Sequence, residues 1–253
     1  MTRIMVIVGH PQDPFERSAG TVAKHLARGD EAMFVSLTTG VVTHAFNVFP
    51  ATGDDKLEDI EKVKQTKRDE FNRASRVLGL TEWECLDFPE SPMLLGMEEY
   101  LTVVNMIRGF RPNVVLCPHP VEVGRQDHMD TGRFAVACVD YVRADGFPSP
   151  LTPITVPHVF MFYYPGFNAD QLMGTTRHQP DVVIDISDVI DKKRAAMAEF
   201  SDTQAKAKED YLVRTNSLLE HVDGHAGYMN KVAYAEQFSR LNQLVWNYLP
   251  LGE

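Results

Sequence analysis

The stretch Ile4-Met5-Val6-Ile7-Val8-Gly9-His10-Pro11-Gln12-Asp13 opens with a run of apolar residues and passes through a glycine into polar residues. A short, largely β-branched run of this kind is typical of a strand that is buried on both faces of a parallel sheet. The following residues, 18–27, carry apolar side chains at helical spacing and stop just before Gly29. The stretch therefore predicts a strand followed by a helix, with polar residues where the strand ends.

The same alternation continues along the first half of the chain. Further strands are predicted over 32–37, 82–87 and 113–117, and further helices over 56–78, 97–110 and 128–142. Strands that alternate with helices in this way predict an α/β fold with a right-handed parallel sheet. We interpret the many charged residues of the second helix, Glu70 among them, as its solvated face.

The sequence changes character after the stretch 146–150, which contains two prolines. Strands are predicted over 154–164 and 181–186, and residues 187–219 predict one long helix or two shorter ones. The tail that follows is too rich in aromatic residues to be a free tail. We interpret residues 1–253 as a single domain, with a core over 1–147 and a C-terminal portion over 148–253 packed on it. The alternative is a subdomain boundary at the prolines of 148–157.

The composition disfavours several classes of protein. The chain has 35 acidic and 25 basic residues, a formal charge of -10 and no block of Lys or Arg, so we expect no nucleic-acid partner. No apolar run approaches the roughly 18 residues of a membrane span, and the apolar start is too short for a secretion signal. The three cysteines are widely spaced, which predicts neither disulfides nor a thiolate metal site, and we therefore expect a cytoplasmic protein.

Three residues stand where a metal site is expected. His10 and Asp13 follow the first predicted strand, and His128 follows the loop after the fourth. The carboxyl ends of parallel strands meet at one edge of a sheet, where open α/β sheets bind ligands. Two imidazoles and one carboxylate with open positions for water are typical of a catalytic zinc site. The spacing alone leaves an alternative open, in which Asp13 caps a helix and the histidines pack as hydrogen-bonded residues.

A family resemblance bears on this choice. His10-Pro11-Gln12-Asp13, followed by Ala19-Gly20-Thr21, resembles the His-Pro-Asp-Asp and Gly-Gly-Thr signature of the PIG-L/LmbE-like N-acetylglucosaminyl deacetylase superfamily. Further matches keep the family order over nearly the whole chain, at 37–40, 68–70, 78–79, 111–115, 126–128, 185–187, 191–193 and 234–238. The resemblance implies a Rossmann-like three-layer sandwich with a mostly parallel sheet. It also implies one divalent metal, usually zinc, held by His10, Asp13 and His128.

The sequence departs from the family signature at two positions. Gln12 stands where the family has an Asp that is taken to be the general base, and a carboxamide does not accept a proton at useful pH. Arg125 stands where the family has a His that is credited with protonating the leaving amine or stabilising the oxyanion, and arginine does not donate its proton. This pattern predicts retained metal binding with altered chemistry.

The superfamily has a hydratase branch that the sequence also resembles, typified by 4-oxalomesaconate hydratase. Arg17 follows the presumed metal ligand Asp13 by four residues, as in that branch, and Arg125 precedes the other ligand region. Two guanidinium groups near the metal suit the recognition of carboxylates. The alternative interpretation of Arg17 is a surface charge near the start of a helix. We take Gln12, Arg17 and Arg125 as the candidate substrate-binding residues.

If Gln12 is not the base, other groups must move protons. His44 follows the second strand, His119 follows the fourth, and imidazole titrates near neutrality. Asp127 stands beside the presumed ligand His128 and is placed to orient it. We take these three residues and Arg125 as catalytic candidates. The alternatives are an exposed loop residue for His44, a hydrogen-bonded residue for His119 and a helix cap for Asp127.

These observations favour a mononuclear metal enzyme that acts on a small carboxylated substrate, most simply as a hydratase or lyase. A second hypothesis is a deacetylase or other amide hydrolase with a relocated base, acting on an N-acetyl amino sugar or a related acylated compound. A third is a binding protein without catalytic activity. We expect a small-molecule substrate and no membrane partner, and a homo-oligomer formed through the apolar C-terminal segment.

Overall fold

The computed structural model describes residues 1–44, 56–121, 126–163, 180–204 and 208–242. The strands are β1 (Arg3–Val8), β2 (Glu31–Ser36), β3 (Glu82–Cys85), β4 (Val114–Pro118), β5 (His158–Phe162), β6 (Val182–Asp185) and β7 (Ala235–Arg240). The helices are α1 (Asp13–Arg17), α2 (Ala19–Ala27), α3 (Val41–His44), α4 (Lys56–Leu78), α5 (Met97–Phe110), α6 (Gln126–Tyr141), α7 (Ile190–Met197), α8 (Ser201–Gln204), α9 (Lys208–Leu219) and α10 (His225–Met229). A 3-10 turn (Ala198–Phe200) joins α7 to α8, and a π-turn (Glu220–Gly224) joins α9 to α10.

The strands form one sheet in the order β3-β2-β1-β4-β5-β7-β6. The pairs from β3 to β5 are parallel, whereas β7 runs antiparallel to both β5 and β6. The predicted α/β fold with a mostly parallel sheet is therefore confirmed. Strand β7 comes from the tail for which we predicted packing but no strand, and it extends the sheet beyond the parallel part.

Alternate residues of β1 pack on opposite faces of the sheet. Ile4, Val6 and Val8 join a buried cluster with α2, α4 and α7, whereas Met5 and Ile7 join a second cluster with α5 and α6. Because every residue from Ile4 to Val8 is buried, the strand reads as one continuous apolar run. Helices on both faces of the sheet make the three layers that the family resemblance implied.

Two predicted elements differ from those observed. The strand predicted over 154–164 begins only at His158, after Pro153 and Pro157, because proline cannot donate to a sheet ladder. In place of the one long or two shorter helices predicted over 187–219, the structure has α7, the 3-10 turn, α8 and α9, and residues 205–207 lie outside the described part. The short helix α1 was not predicted.

A glycine in α6 brings that helix unusually close to the end of β4. A Cβ atom added at Gly132 would lie 2.4 Å from the carbonyl oxygen of Pro118. Only glycine therefore permits this approach, which places the first turn of α6, with His128, at the carboxyl edge of the sheet.

Three expectations concern the chain as a whole: no membrane span, a division into two portions and a homo-oligomer. None of the helices in the described ranges is long and apolar enough to cross a membrane. The division into 1–147 and 148–253 stays a prediction, as does the homo-oligomer. The end of the C-terminal segment invoked for that oligomer, residues 243–253, lies outside the described residues.

Candidate metal centre

The turn after β1 folds the carboxylate of Asp13 back onto His10. The backbone N–H of Asp13 donates to the carbonyl of His10 at 3.2 Å, and Oδ2 of Asp13 accepts the backbone N–H of His10 at 2.9 Å. The same Oδ2 atom lies 3.3 Å from Nδ1 of the His10 ring. A sequence separation of three residues is thus enough to place both side chains at one point on the sheet edge.

His128 reaches the same point from the first turn of α6. Its Nε2 atom lies 3.8 Å from Oδ2 of Asp13, and the ring centroids of His10 and His128 are 5.4 Å apart. All three side chains are buried. The structure therefore brings the predicted ligand set together, and buried imidazoles around one carboxylate oxygen are donors that suit zinc.

Asp127 adds a second carboxylate to this cluster. Its Oδ2 atom lies 3.2 Å from Nε2 of His10, and its Oδ1 atom accepts the backbone N–H of His128 at 2.9 Å. The possible ligand atoms of His10, Asp127 and His128 all lie within 4.8 Å of one another. Two N,N,O donor sets thus share the same histidines, one completed by Asp13 and the other by Asp127.

The charges around His10 also suit a cation. Burial alone would lower the pKa of His10, but the carboxylates of Asp13 and Asp127 outweigh it and raise that pKa to about 10. For the carboxyl group of Asp127, burial acts in the opposite direction and would raise the pKa, yet contact with His10 holds that pKa at about 2. The two carboxylates therefore stabilise positive charge at this position.

Glu90 is a further carboxylate here that the sequence reasoning missed. Its Oε1 atom lies 3.7 Å from Nε2 of His10, and its Oε2 atom accepts the backbone N–H of Val42 at 3.1 Å. Glu90 follows β3, whose carboxyl end lies at the same edge of the sheet. The rule that pointed to His10 and His128 could therefore have pointed to Glu90 as well.

Lys67 is a buried cation close to this cluster. It lies on α4 and is only 3 % exposed, and burial lowers its pKa although the nearby carboxylates of Glu70, Glu90 and Asp13 oppose that shift. The interpretation of Glu70 as part of a solvated helix face is wrong, because its side chain is fully buried. Helix α4 packs against α7 and the 3-10 turn, which covers a face that the sequence shows only as charged.

The side chain of Gln12, the residue before Asp13, is held by two partners. Its amide Nε2 donates to Oε1 of Glu16 at 2.6 Å and to the hydroxyl of Tyr211 at 3.3 Å. Burial raises the pKa of Glu16, and Tyr211 is itself buried and donates to the carbonyl of Met197. The position that holds the base in the family signature is thus occupied by a neutral hydrogen-bond donor.

Arg17 is buried, so the alternative of a surface charge is wrong. Its Nη2 atom lies 3.6 Å from Oε2 of Glu16. The residue lines a cavity of about 120 Å³ together with Tyr163, Asp223 and Gln237. Arg17, one helical turn after Asp13, therefore borders a cavity beside α1.

Of the other catalytic candidates, the structure describes His119 in full, His44 in part and Arg125 not at all. His119 is buried and stacks on Tyr163 with ring centroids 4.4 Å apart, and its Nδ1 atom accepts the backbone N–H of Val121 at 3.1 Å. His44 is the last residue of α3, but its side chain lies outside the described part. Arg125 lies outside the described residues altogether. The roles of all three stay predictions.

Comparison with known proteins identifies the family of this chain. Residues 5–139 match the sequence model of the PIG-L family, described as GlcNAc-PI de-N-acetylase, and this match spans more than half of the chain. The chain belongs to the PIG-L family. Its PIG-L relatives include the diacetylchitobiose deacetylase of Thermococcus kodakarensis, which is 27 % identical over 244 residues that cover 92 % of this chain and 81 % of that protein.

Other PIG-L relatives are hydratases. The 4-oxalmesaconate hydratase of Pseudomonas putida is 25 % identical over 194 residues, which cover 76 % of this chain and 70 % of that protein. The crystal structure of GalB, the 4-carboxy-2-hydroxymuconate hydratase from Pseudomonas putida, has the same fold, with a TM-score of 0.81 and 21 % identity over 99 % of this chain and 100 % of that one. The protein is thus an enzyme of a superfamily that holds both deacetylases and hydratases, and its relatives do not support the hypothesis of a binding protein without activity.

Proposed function

We propose that this enzyme is a metal-dependent hydratase or lyase that acts on a small carboxylated substrate. The observation that carries the proposal is the environment of Gln12, whose amide donates to Glu16 and to Tyr211. A neutral amide fixed in this way neither accepts a proton nor competes for the cation. The site therefore keeps its donor set but lacks the base that the family signature assigns to amide hydrolysis.

His10, Asp13 and His128 are the proposed ligands of one divalent cation, with zinc the best match to two imidazoles and a carboxylate. When bound, such a cation supplies a Lewis acid that polarises a carbonyl group or a water molecule. We assign Asp127 to the orientation of His10, because its carboxylate faces Nε2 while Asp13 faces Nδ1.

A carboxylated substrate is supported by two buried cations near the ligands. Lys67 lies in the electrostatic field of Asp13 and Glu90, and Arg17 lies on the wall of the adjoining cavity. A guanidinium or ammonium group binds a substrate carboxylate through charge-assisted hydrogen bonds. Arg125 remains the proposed third cation, and His44 and His119 remain the proposed groups for proton exchange.

A deacetylase is the second candidate, and a specific observation favours it. The carboxylates of Asp127 and Glu90 both approach Nε2 of His10, at 3.2 and 3.7 Å. The site therefore contains acidic side chains even though residue 12 is a glutamine. Either carboxylate could act as the general base in place of residue 12. The deacetylase of Thermococcus kodakarensis is also similar to this chain over most of its length.

One experiment separates the two candidates. Purified enzyme loaded with zinc is assayed with an unsaturated dicarboxylate, by loss of its ultraviolet absorbance, and with N,N'-diacetylchitobiose, by release of acetate. The His128→Ala variant serves as the control without a complete donor set. Hydration by the wild type alone supports the proposal, whereas release of acetate contradicts it and favours the deacetylase.

A further inference from the structure

The helix that carries Asp13 and Arg17 is separated from α2 by a single non-helical residue. Ser18 has φ -143° and ψ -2°, so the helical hydrogen-bond pattern breaks between α1 and α2. The turn after β1 holds the Asp13 carboxylate on His10, and the direction of α1 relative to α2 then bears on where that carboxylate lies with respect to His128 of α6. A side-chain network crosses this break, and its members come from the C-terminal half of the chain.

Glu236 of β7 holds the α2 side of the break. Its Oε1 atom accepts the backbone N–H of Gly20 at 2.9 Å, and its Oε2 atom accepts that of Thr21 at 2.8 Å. A carboxylate at the first turn of a helix satisfies N–H groups that have no partner within the helix. A Cβ atom at Gly20 would lie 2.7 Å from Ile186, so the backbone is also pressed against the segment after β6.

Lys193 of α7 holds the α1 side of the break. Its Nζ atom donates to the carbonyl oxygen of Glu16 at 2.9 Å and lies 2.8 Å from Oε1 of Glu236. Both ionised side chains are buried. Together they form a continuous link from the last turn of α1 to the first turn of α2, which we call the Lys193–Glu236 clasp.

Asp223 completes the clasp from a third element. Its Oδ2 atom lies 2.6 Å from Nζ of Lys193, and it belongs to the π-turn between α9 and α10. Single π-turns inside helices recur at functional sites. Asp223 and Glu236 also line the cavity that Glu16 and Arg17 line, so the clasp borders the cavity beside α1.

Stability alone is a weak explanation for such a network. Removing two opposite charges from water costs about as much free energy as their attraction returns, so buried ion pairs often contribute little to folding. A buried pair with hydrogen bonds to both sides of a helix break does, however, fix geometry. We propose that Lys193 and Glu236 are positioning residues of the metal centre, which hold α1 so that the Asp13 carboxylate, fixed on His10 by the turn after β1, also meets His128. This inference rests on the proposed metal site.

The test measures zinc affinity by competition with a chromophoric chelator, a readout that is independent of activity. Glu236→Gln keeps the size of the side chain but removes its charge and one acceptor. We expect it to bind zinc at least about tenfold more weakly than the wild type, since residues that support metal ligands contribute on this scale. Lys193→Met is expected to act in the same direction.

The matched control is Arg108→Met. Arg108 is an equally buried cation, but it donates to the backbone carbonyls of Tyr141, Val142, Ala144 and Leu151, away from the candidate site. We expect this variant to lower the melting temperature and leave zinc affinity unchanged. Equal loss of affinity in Arg108→Met and Glu236→Gln would mean that general destabilisation is responsible, and the inference would be wrong.

A measurement on the wild-type protein tests the inference even if the variants do not fold. Coupling between two sites is reciprocal, so zinc should slow hydrogen exchange at the amides of Gly20 and Thr21. Unchanged exchange there, or unchanged zinc affinity in Glu236→Gln, would overturn the clasp as a positioning device. A wild type that binds no zinc would instead overturn the proposed metal site itself.

Discussion

Oδ2 of Asp127 lies 3.2 Å from Nε2 of His10, while Asp13 contacts the other nitrogen of the same ring. A carboxylate at the second nitrogen of a ligating histidine fixes its tautomer and orientation. We therefore expect Asp127→Asn to weaken zinc binding by about 10- to 100-fold without abolishing it. Asp13→Asn should remove binding, because it replaces a proposed ligand. Titration against a chelator measures both effects.

The control for Asp127→Asn lies on the same helix. Asp130 accepts a hydrogen bond from Gln126 at 2.8 Å and has no carboxylate-to-histidine contact among the described residues. Asp130→Asn should leave zinc affinity unchanged. Complete loss of zinc in Asp127→Asn, with zinc retained in Asp13→Asn, would instead assign the ligand role to Asp127.

Much of the site could be predicted because it depends on short-range sequence and on one rule of topology. Asp13 reaches His10 across a turn of three residues, and His128 follows the strand that pairs with β1. Once the strands were recognised, the shared edge of the sheet followed. The prediction of the His10, Asp13 and His128 cluster needed no knowledge of how the helices pack.

The missed features depend on packing between distant segments. Lys67 is one of many charged residues on α4, and only the contact of that helix with α7 shows that it is buried. Strand β7 contains Glu236 and Ser239 as buried residues, so its apolar pattern does not alternate. Helix α1 has five residues, too few for a helical period to appear in the sequence.

The amide of Gln12 donates a hydrogen bond to the carboxylate of Glu16, so a negatively charged side chain at residue 12 would disrupt this pair. In Gln12→Asp, two carboxylates would face each other where burial already raises the pKa of Glu16. We expect this variant to lose about 1–3 kcal/mol of unfolding free energy, the usual cost of a buried polar group without its partner. Urea unfolding measures the loss.

The double variant Gln12→Asp with Glu16→Gln restores the pair with its roles reversed. We expect it to recover most of the lost stability, and it is the appropriate variant in which to look for acetate release from N,N'-diacetylchitobiose. Gln12→Asp with wild-type stability would contradict the pairing argument. Acetate release that appears only in the double variant would support a lost base at residue 12.

Lys67 is, under the proposed function, a binding residue for the substrate carboxylate. A hydrogen bond to a charged group contributes about 1.5–3 kcal/mol, so Lys67→Met should raise KM for a carboxylated substrate by about tenfold or more. We expect a smaller change in kcat, and partial recovery of KM in Lys67→Arg. Steady-state kinetics with the dicarboxylate substrate measure these values.

Lys64→Met is the matched control for Lys67. Lys64 stands one turn earlier on α4 and pairs at the surface with Asp87 and Glu61, at 2.9 and 3.2 Å. Exposed pairs of this kind contribute only about 0.2–1 kcal/mol, so neither KM nor stability should change much. Similar KM values in Lys67→Met and the wild type would mean that Lys67 does not touch the substrate.

The contact between Gly132 and Pro118 gives the last prediction. A methyl group at residue 132 would stand 2.4 Å from a backbone oxygen that cannot move aside, so α6 must shift away from β4. We expect Gly132→Ala to lower the unfolding free energy by about 1–3 kcal/mol, the usual cost of overpacking. Zinc affinity should fall with it, because His128 lies one turn earlier on the same helix.

Gly109 of α5 provides the comparison, since a Cβ atom there meets only Leu151 at 3.8 Å, an ordinary contact. Alanine is favoured over glycine inside a helix by about 0.5–1 kcal/mol, so Gly109→Ala should be neutral or stabilising. Urea unfolding and zinc titration of both variants measure the two effects separately. A Gly132→Ala variant that is destabilised but binds zinc normally would show that the position of His128 tolerates movement of α6.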